Sequence, residues 1–244
     1  MEFYGISDRG KVRPLNQDVC QTFYDAVKNS ALLVVCDGMG GAKAGNIASE
    51  MAAEAFTASM KSHLAEDTNI IDIMQHMGEA VKLANTQVYD RSMSDIDCAG
   101  MGTTLVAAVV TPGGTVVANV GDSRAYHVTA NQVTQVTKDH SVVEDMIDRG
   151  DLTRSEASSH PNRNLITRAL GTALDAEPDF FFLNLQSGEY LLLCSDGLSN
   201  MLSEQVLLNE ISGGANVQET CEKLVRLANM KGAPDNVTAV LIQK

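Results

Sequence analysis

The sequence predicts an α+β layered domain. Strand signals come in antiparallel groups closed by short turns, and helix signals come in pairs instead of alternating singly with strands. A third observation sets the scale. The chain has 244 residues with no internal repeat, low-complexity tract or linker, which fits one domain over 1–244.

The elements follow in order. Residues 2–7 form an opening strand, closed by Asp8-Arg9-Gly10. Pro14 makes the next segment extended or turned, and 19–24 alternates loosely, able to pair with the first strand. The stretch LLVVCDGMGG (32–41) is a short apolar run entering a glycine-rich turn, so it reads as a buried strand. Two amphipathic helices follow, 46–64 and 70–91. In the second, Ile70, Met74, Met77, Val81, Ala84 and Val88 recur at steps of three and four. A polar loop spans 94–102. The period then changes to β-branched runs at 103–110, 115–120, 124–129 and 133–137, read as an antiparallel meander interrupted by Gly121-Asp122-Ser123. Residues 140–170 are polar, with short helical pieces at 142–149 and 153–158, and predict a surface flap. A hairpin of 180–185 with 190–194, helices at 204–211 and 217–230, and a closing strand at 237–242 complete the chain.

Composition narrows the function. The net charge is −13, which argues against nucleic acid or an anionic membrane as the partner. No apolar run reaches the length of a membrane span, and MEFYGISDRG lacks the basic-then-apolar pattern of a signal peptide. Cysteines stand singly at 20, 36, 98, 194 and 221, neither a disulfide framework nor a zinc motif; reduced thiols in a cytoplasmic protein fit them.

Chemistry concentrates at strand ends. The first apolar run meets Asp37, and a second, 190–195, meets Asp196-Gly197. A carboxylate at the end of a buried strand is costly unless it is paired, hydrogen-bonded or bound to a metal. Asp122 and Asp235 stand at similar boundaries. The segment GMGGAKAGN has the position of a phosphate loop but fails its templates: Asn46 follows Gly45 where Lys-Ser/Thr is needed, and Lys43 replaces the third glycine of a dinucleotide fingerprint. Asp beside Gly is also a common turn dipeptide, which suffices for any one of these residues alone. Four together favour an all-oxygen site for Mg²⁺ or Mn²⁺ over Zn²⁺, and the five histidines show no zinc spacing.

An ordered set of motifs resembles a known family. RPLNQD (13–18), VVCDGMGG (34–41), GMGTT (100–104), NVGDSRAY (119–126), KDHS (138–141), HPNRNLITRALG (160–171), LLCSDGL (192–198) and DNVTAV (235–240) are similar, in order, to the metal-dependent serine/threonine protein phosphatases of type 2C in their compact bacterial form. The resemblance implies a four-layer α/β/β/α sandwich, with two central antiparallel sheets flanked by helix pairs. It implies hydrolysis of phosphoserine and phosphothreonine in proteins by a water activated by two cations, Mn²⁺ or Mg²⁺. Asp37 would bridge them, the Gly38 carbonyl would bind one, and Asp196 and Asp235 would complete the other site. Asp18 would act through water, Asp122 with Asp196 would hold a third, weaker cation, and Arg13 would grip the phosphate. It further implies phosphoprotein partners, a cognate Ser/Thr kinase pathway and a monomer. Two other readings share the motifs: a non-catalytic pseudophosphatase, whose usual mark is a lost metal aspartate, and a phosphatase of one narrow regulatory target. One departure stands out. Many eukaryotic relatives carry histidine, thought to protonate the leaving group, where this chain has Met39.

Overall fold

In the computed structural model, which describes residues 1–40, 44–64, 69–157 and 159–244, strands β1 (Glu2–Asp8), β2 (Asp18–Asp25) and β3 (Ser30–Met39) lead into helices α1 (Ala44–Leu64) and α2 (Ile70–Ser94). Strands β4 (Gly102–Thr103), β5 (Leu105–Thr111), β6 (Gly114–Val120), β7 (Arg124–Val128) and β8 (Val133–Gln135) follow. Short helices α3 (Val142–Asp148) and α4 (Arg154–Ala157) precede β9 (Asp179–Leu183), β10 (Tyr190–Cys194) and the single turn α5 (Asp196–Ser199). Helices α6 (Glu204–Ser212) and α7 (Val217–Met230) and strand β11 (Val237–Gln243) end the chain.

Two antiparallel sheets face one another. The first runs β1-β11-β10-β7-β8, and the second runs β2-β3-β5-β6-β9 with β4 beside β3. The apolar strands lack alternation because both of their faces are covered. Along β3, Ala31, Leu33 and Val35 enter the core between the sheets, while Leu32, Val34 and Cys36 face α1 and α2. Along β10, Leu191 and Leu193 point between the sheets, and Leu192 and Cys194 face α6 and α7. Three cores thus separate four layers, as the sandwich requires. Cys36 and Cys194 are fully buried and serve as small core side chains.

The helices match their sequence signals. The Asn69 side chain accepts the N–H groups of Ile71 and Asp72 at the start of α2, and Met77, Val81, Ala84 and Val88 are buried. In α7, Asn216 caps the first turn, and the stripe of Val217, Cys221, Leu224, Val225 and Ala228 is buried.

Three pairings and one strand boundary differ from expectation. β1 pairs with β11, while β2 pairs with β3. The run at 103–110 divides at Thr104, whose hydroxyl and amide bond Asp37. The central strands are not one meander: β5-β6 belongs to one sheet and β7-β8 to the other, so 121–123 carries the chain between sheets. Likewise 180–185 and 190–194 are not a hairpin, since β9 pairs with β6 and β10 lies between β11 and β7. Propensity and turn residues locate strands, but choice of sheet is a long-range matter that they do not encode. Of the glycine-rich turn after Asp37, 41–43 lie outside the described residues, as does 158 at the end of the 153–158 helical piece.

Candidate active site

The strand ends meet at one end of the sandwich. Arg13, Asp37, Gly38, Asp122, Asp196 and Asp235 line one cleft of about 210 Å³, with Gln17, Met39, Gly40, Thr104, Asn164 and Ile166 completing the wall. A second cavity of about 430 Å³ adjoins it, sharing Asp122, Asn164 and Asp196.

Each carboxylate is placed by its backbone. Asp37 lies within β3, not after it, opposite Asp18 of β2. Its N–H donates to the Thr104 hydroxyl (3.0 Å), and its carbonyl accepts from the Thr104 N–H (2.9 Å) and the Thr103 hydroxyl (2.9 Å). The next residue must be glycine, because a Cβ at Gly38 would stand 2.0 Å from the Gly45 carbonyl oxygen. Asp196 opens α5, and its Oδ2 accepts from Asn200 Nδ2 (3.1 Å). Asp235 immediately precedes Asn236, whose amide nitrogen donates to the Arg9 and Leu15 carbonyls (2.8 and 2.9 Å) while its Oδ1 accepts the Gln17 N–H (2.8 Å). Asn236 therefore holds the segment that carries Arg13. The Arg13 guanidinium donates to Asp235 Oδ2 at 2.7 Å and is half exposed.

Asp18 does not line the cleft; it lies behind Asp37, 5% exposed. Its Oδ2 accepts hydrogen bonds from the Ser195 and Thr238 hydroxyls, both at 2.7 Å. Its Oδ1 is buried and without a partner. One carboxylate of the second sheet is thus gripped by two hydroxyls of the first.

Burial and mutual repulsion dominate the electrostatics. Burial, then the Asp18, Asp196, Asp122 and Asp235 charges, hold the Asp37 carboxyl well above the usual range. Asp18 is pushed up to about 6 by burial, against the pull of its two hydroxyl bonds. Asp122 is pushed to about 7 by burial and the Asp196 charge. Burial, then Asp235, also raises Asp196. Among the described residues no three of these side chains converge as a closed set of ligands. The donor set nonetheless fits hard divalent cations. It is all oxygen, it concentrates negative charge where burial disfavours it, and Asp18 leaves one buried oxygen unsatisfied toward Asp37.

All seven residues singled out in the sequence are therefore at one place, six in the wall and Asp18 behind it. Ser195, Thr238, Thr104 and Asn236 were missed. Each lay inside a recognised motif, and the available signal was a hydroxyl or amide beside a buried carboxylate, which burial obliges to find a partner.

Comparisons with known proteins point to one family. The family model for protein phosphatase 2C matches residues 10–238. A serine/threonine phosphatase stp of Listeria welshimeri is 36% identical over 238 residues, 98% of this chain and 94% of its own. The Streptococcus agalactiae serine/threonine phosphatase superposes with a TM-score of 0.90 at 34% identity, covering 100% of this chain and 99% of that one. The catalytic domain of the phosphatase PstP, solved with two manganese ions, superposes with a TM-score of 0.83 at 34% identity, over 98% and 96% of the two chains.

Proposed function

Because the chain belongs to the protein phosphatase 2C family and is a protein serine/threonine phosphatase, we propose that the carboxylate cleft is its catalytic centre and that Arg13 holds the phosphate of the substrate. The observation that supports this most is that Asp37, Asp196 and Asp235, three carboxylates far apart in sequence, line one cleft together with Arg13. Asp37, the Gly38 carbonyl, Asp196 and Asp235 would hold two divalent cations, Mn²⁺ or Mg²⁺, with Asp18 behind them and Asp122 with Asp196 at a third, weaker position. Such cations, when bound, supply an acidified water and offset charge on the phosphoryl group.

The chain's own residues do the rest. Arg13 presents a planar fork that matches two phosphate oxygens. It lies on Asp235 and is half exposed, so a phosphate can draw it into the cleft without unpacking a core. Thr104 fixes the main chain of Asp37 on both sides of its Cα, which keeps that carboxylate aimed while charge builds at phosphorus. Met39 forms part of the wall with its methyl end over Gly102, and it has no proton to give. The serine or threonine alkoxide must take its proton from another donor.

The substrates are phosphorylated proteins that a partner Ser/Thr kinase supplies, and the protein works as a cytoplasmic monomer. Among the described residues no helix is long and apolar enough to cross a membrane. The deciding experiment follows release of phosphate from a phosphothreonine peptide with Mn²⁺, with Mg²⁺ and with chelator. Turnover restored by either cation and abolished by chelator is expected. Undiminished turnover in chelator would overturn the metal assignment.

A further inference from the structure

Asp122 is held differently from the other carboxylates. It sits in the three-residue crossing between β6 and β7, outside any strand, and the residue before it is a glycine. Gly121 has φ +110°, and a Cβ there would lie 2.6 Å from Thr104 Cγ2, so no other residue fits. Glycine brings the widest backbone freedom of any residue, directly before a side chain whose direction matters.

His140 removes that freedom. Its Nδ1 accepts the Gly121 N–H at 3.1 Å, and its own N–H donates to the Gly121 carbonyl at 2.9 Å. The two peptide planes that flank Gly121 are both fastened, and the second of them carries the amide nitrogen of Asp122. Asn119 Nδ2 adds a bond to the same carbonyl at 3.2 Å. His140 is 7% exposed. Because Nδ1 accepts, the ring is neutral with its proton on Nε2, and burial favours that form by lowering the pKa. Nε2 stands 3.2 Å from Asp179 Oδ2 without a well-formed hydrogen bond, and Asp179 is in turn paired with Arg168 at 2.8 Å.

The same residue reaches the opposite wall of the cleft. The His140 carbonyl accepts the Thr167 N–H at 2.8 Å, and Ser141 bridges to Ile166. Asn164 and Ile166 of that segment line the cleft. One buried imidazole and its backbone therefore join Asp122 to the wall facing it.

We propose that His140 is a positioning residue that sets the direction of the Asp122 carboxylate through Gly121, and so sets the strength of the weakest cation position. This rests on the reading of Asp122 as a ligand of the third cation. His140 touches neither substrate nor cation. Its effect is on the energy of aiming Asp122, so it belongs in the affinity of that position and not in the two tighter ones. Partners that orient a metal ligand are worth about 10–100-fold in affinity when lost.

The test measures Mn²⁺ binding by titration calorimetry on the purified full chain, beside thermal melting. Asp122→Ala is run first and is expected to abolish the weakest of the observed binding events. His140→Gln, which cannot place an acceptor where Nδ1 lies, should weaken that event about tenfold and leave the tighter events unchanged. His140→Asn, whose amide oxygen can stand near Nδ1, should recover most of the loss. Should His140→Gln fail to fold, His140→Asn against wild type carries the measurement, with a loss of not more than about threefold expected. If Asp122→Ala leaves every binding event intact, the third-cation reading fails and the proposal fails with it. If Asp122→Ala removes the weak event but His140→Gln lowers only the melting temperature, the reading stands and the positioning role is overturned. Equal loss in Gln and Asn variants would also overturn it, since the Nδ1 bond would then not be the connection.

Discussion

The cleft has a floor and a rim, and they are built by different means. The floor is made of strand ends: Asp37 on β3, Asp18 behind it, Asp196 after β10 and Asp235 before β11. The cores behind it are solid, with Leu32 to Cys36 and Leu191 to Cys194 fully buried. The rim is residues 138–178, where two short helices and turns are fastened by ion pairs such as Arg154 with Glu144 and Lys138 with Asp148. Arg154, 72% exposed, forks onto the buried Glu144, whereas Lys138 and Asp148 are both half exposed, and a pair of that kind contributes little. The difference teaches a division of labour. On the proposed function, the floor would fix the atoms that must not move during bond breaking, and the rim would offer exchangeable contacts to the protein that carries the phosphate.

The comparison breaks if floor residues prove dispensable. Asp37→Asn, Asp196→Asn and Asp235→Asn should each lower kcat/KM by more than ~10²-fold, on aryl phosphate and phosphopeptide alike, because each would remove an anionic ligand of the proposed cations. Full activity in Asp196→Asn would remove the floor from the chemistry.

Arg13 tests the boundary between the two regions. Arg13→Ala should raise KM roughly tenfold with a smaller fall in kcat, as expected for a contact made in ground and transition states alike. Arg13→Lys should recover only part of that, lacking the fork. An unchanged kcat/KM in Arg13→Ala would place the arginine outside the site.

The floor should also show a pH signature in chelator. Asp18 and Asp122 titrate at about 6 and about 7 in the folded chain against an ordinary 3.8. Their folded pKa values are raised, so the folded state binds the extra protons. Their contribution to stability is present below about pH 4 and is lost as pH rises through 6 to 7. Calorimetric melting of the chelated protein should therefore give a Tm that falls between pH 5 and pH 8, and Mn²⁺ should restore the Tm at pH 8. A Tm that rises over this range in chelator would contradict the crowding of the carboxylates.

Met39 probes whether the floor could do more than it does. Nitrophenolate leaves readily, whereas an alkoxide needs a proton in the transition state. If position 39 faces the leaving group, Met39→His should speed phosphopeptide cleavage a few-fold relative to nitrophenyl phosphate, with the gain falling away above a pKa of roughly 6.5. Parallel pH–rate profiles for the two substrates would show that the side chain only packs.

The smallest effects belong to the rim. Arg154→Ala or Arg163→Ala should change rates on phosphoproteins by about two- to fivefold, the scale of a single exposed contact, and leave the aryl phosphate untouched. Equal changes on both substrates would erase the distinction between rim and floor.

The floor was legible in the sequence because burying a strand on both faces demands an uninterrupted apolar run, and a carboxylate ending such a run is conspicuous. Leu32 to Asp37 and Tyr190 to Asp196 could be read this way without a structure. The pairing of strands was less so. Nothing in β6 or β7 announces that Gly121 to Ser123 passes from one sheet to the other, since antiparallel neighbours within one sheet would satisfy either strand equally well. The hidden partners were the hydroxyls. Ser195 and Thr238 look like ordinary strand residues, and their role exists only because Asp18 lies opposite them at 2.7 Å. The rim was the least legible, for its contacts are surface pairs that many sequences could supply.

The grip of Ser195 and Thr238 on Asp18 has a mechanical side. Asp37 and Asp18 come from one sheet, Asp196 and Asp235 from the other, and Asp122 from the crossing between them. Sliding one sheet past the other by even an ångström would pull these carboxylates out of register, while the apolar core between the sheets, being non-directional, resists such a shear poorly. The two short hydroxyl bonds act as dowels across the joint. Cations shared by both sheets would rivet the same joint, so occupancy of the centre and rigidity of the whole sandwich would rise and fall together.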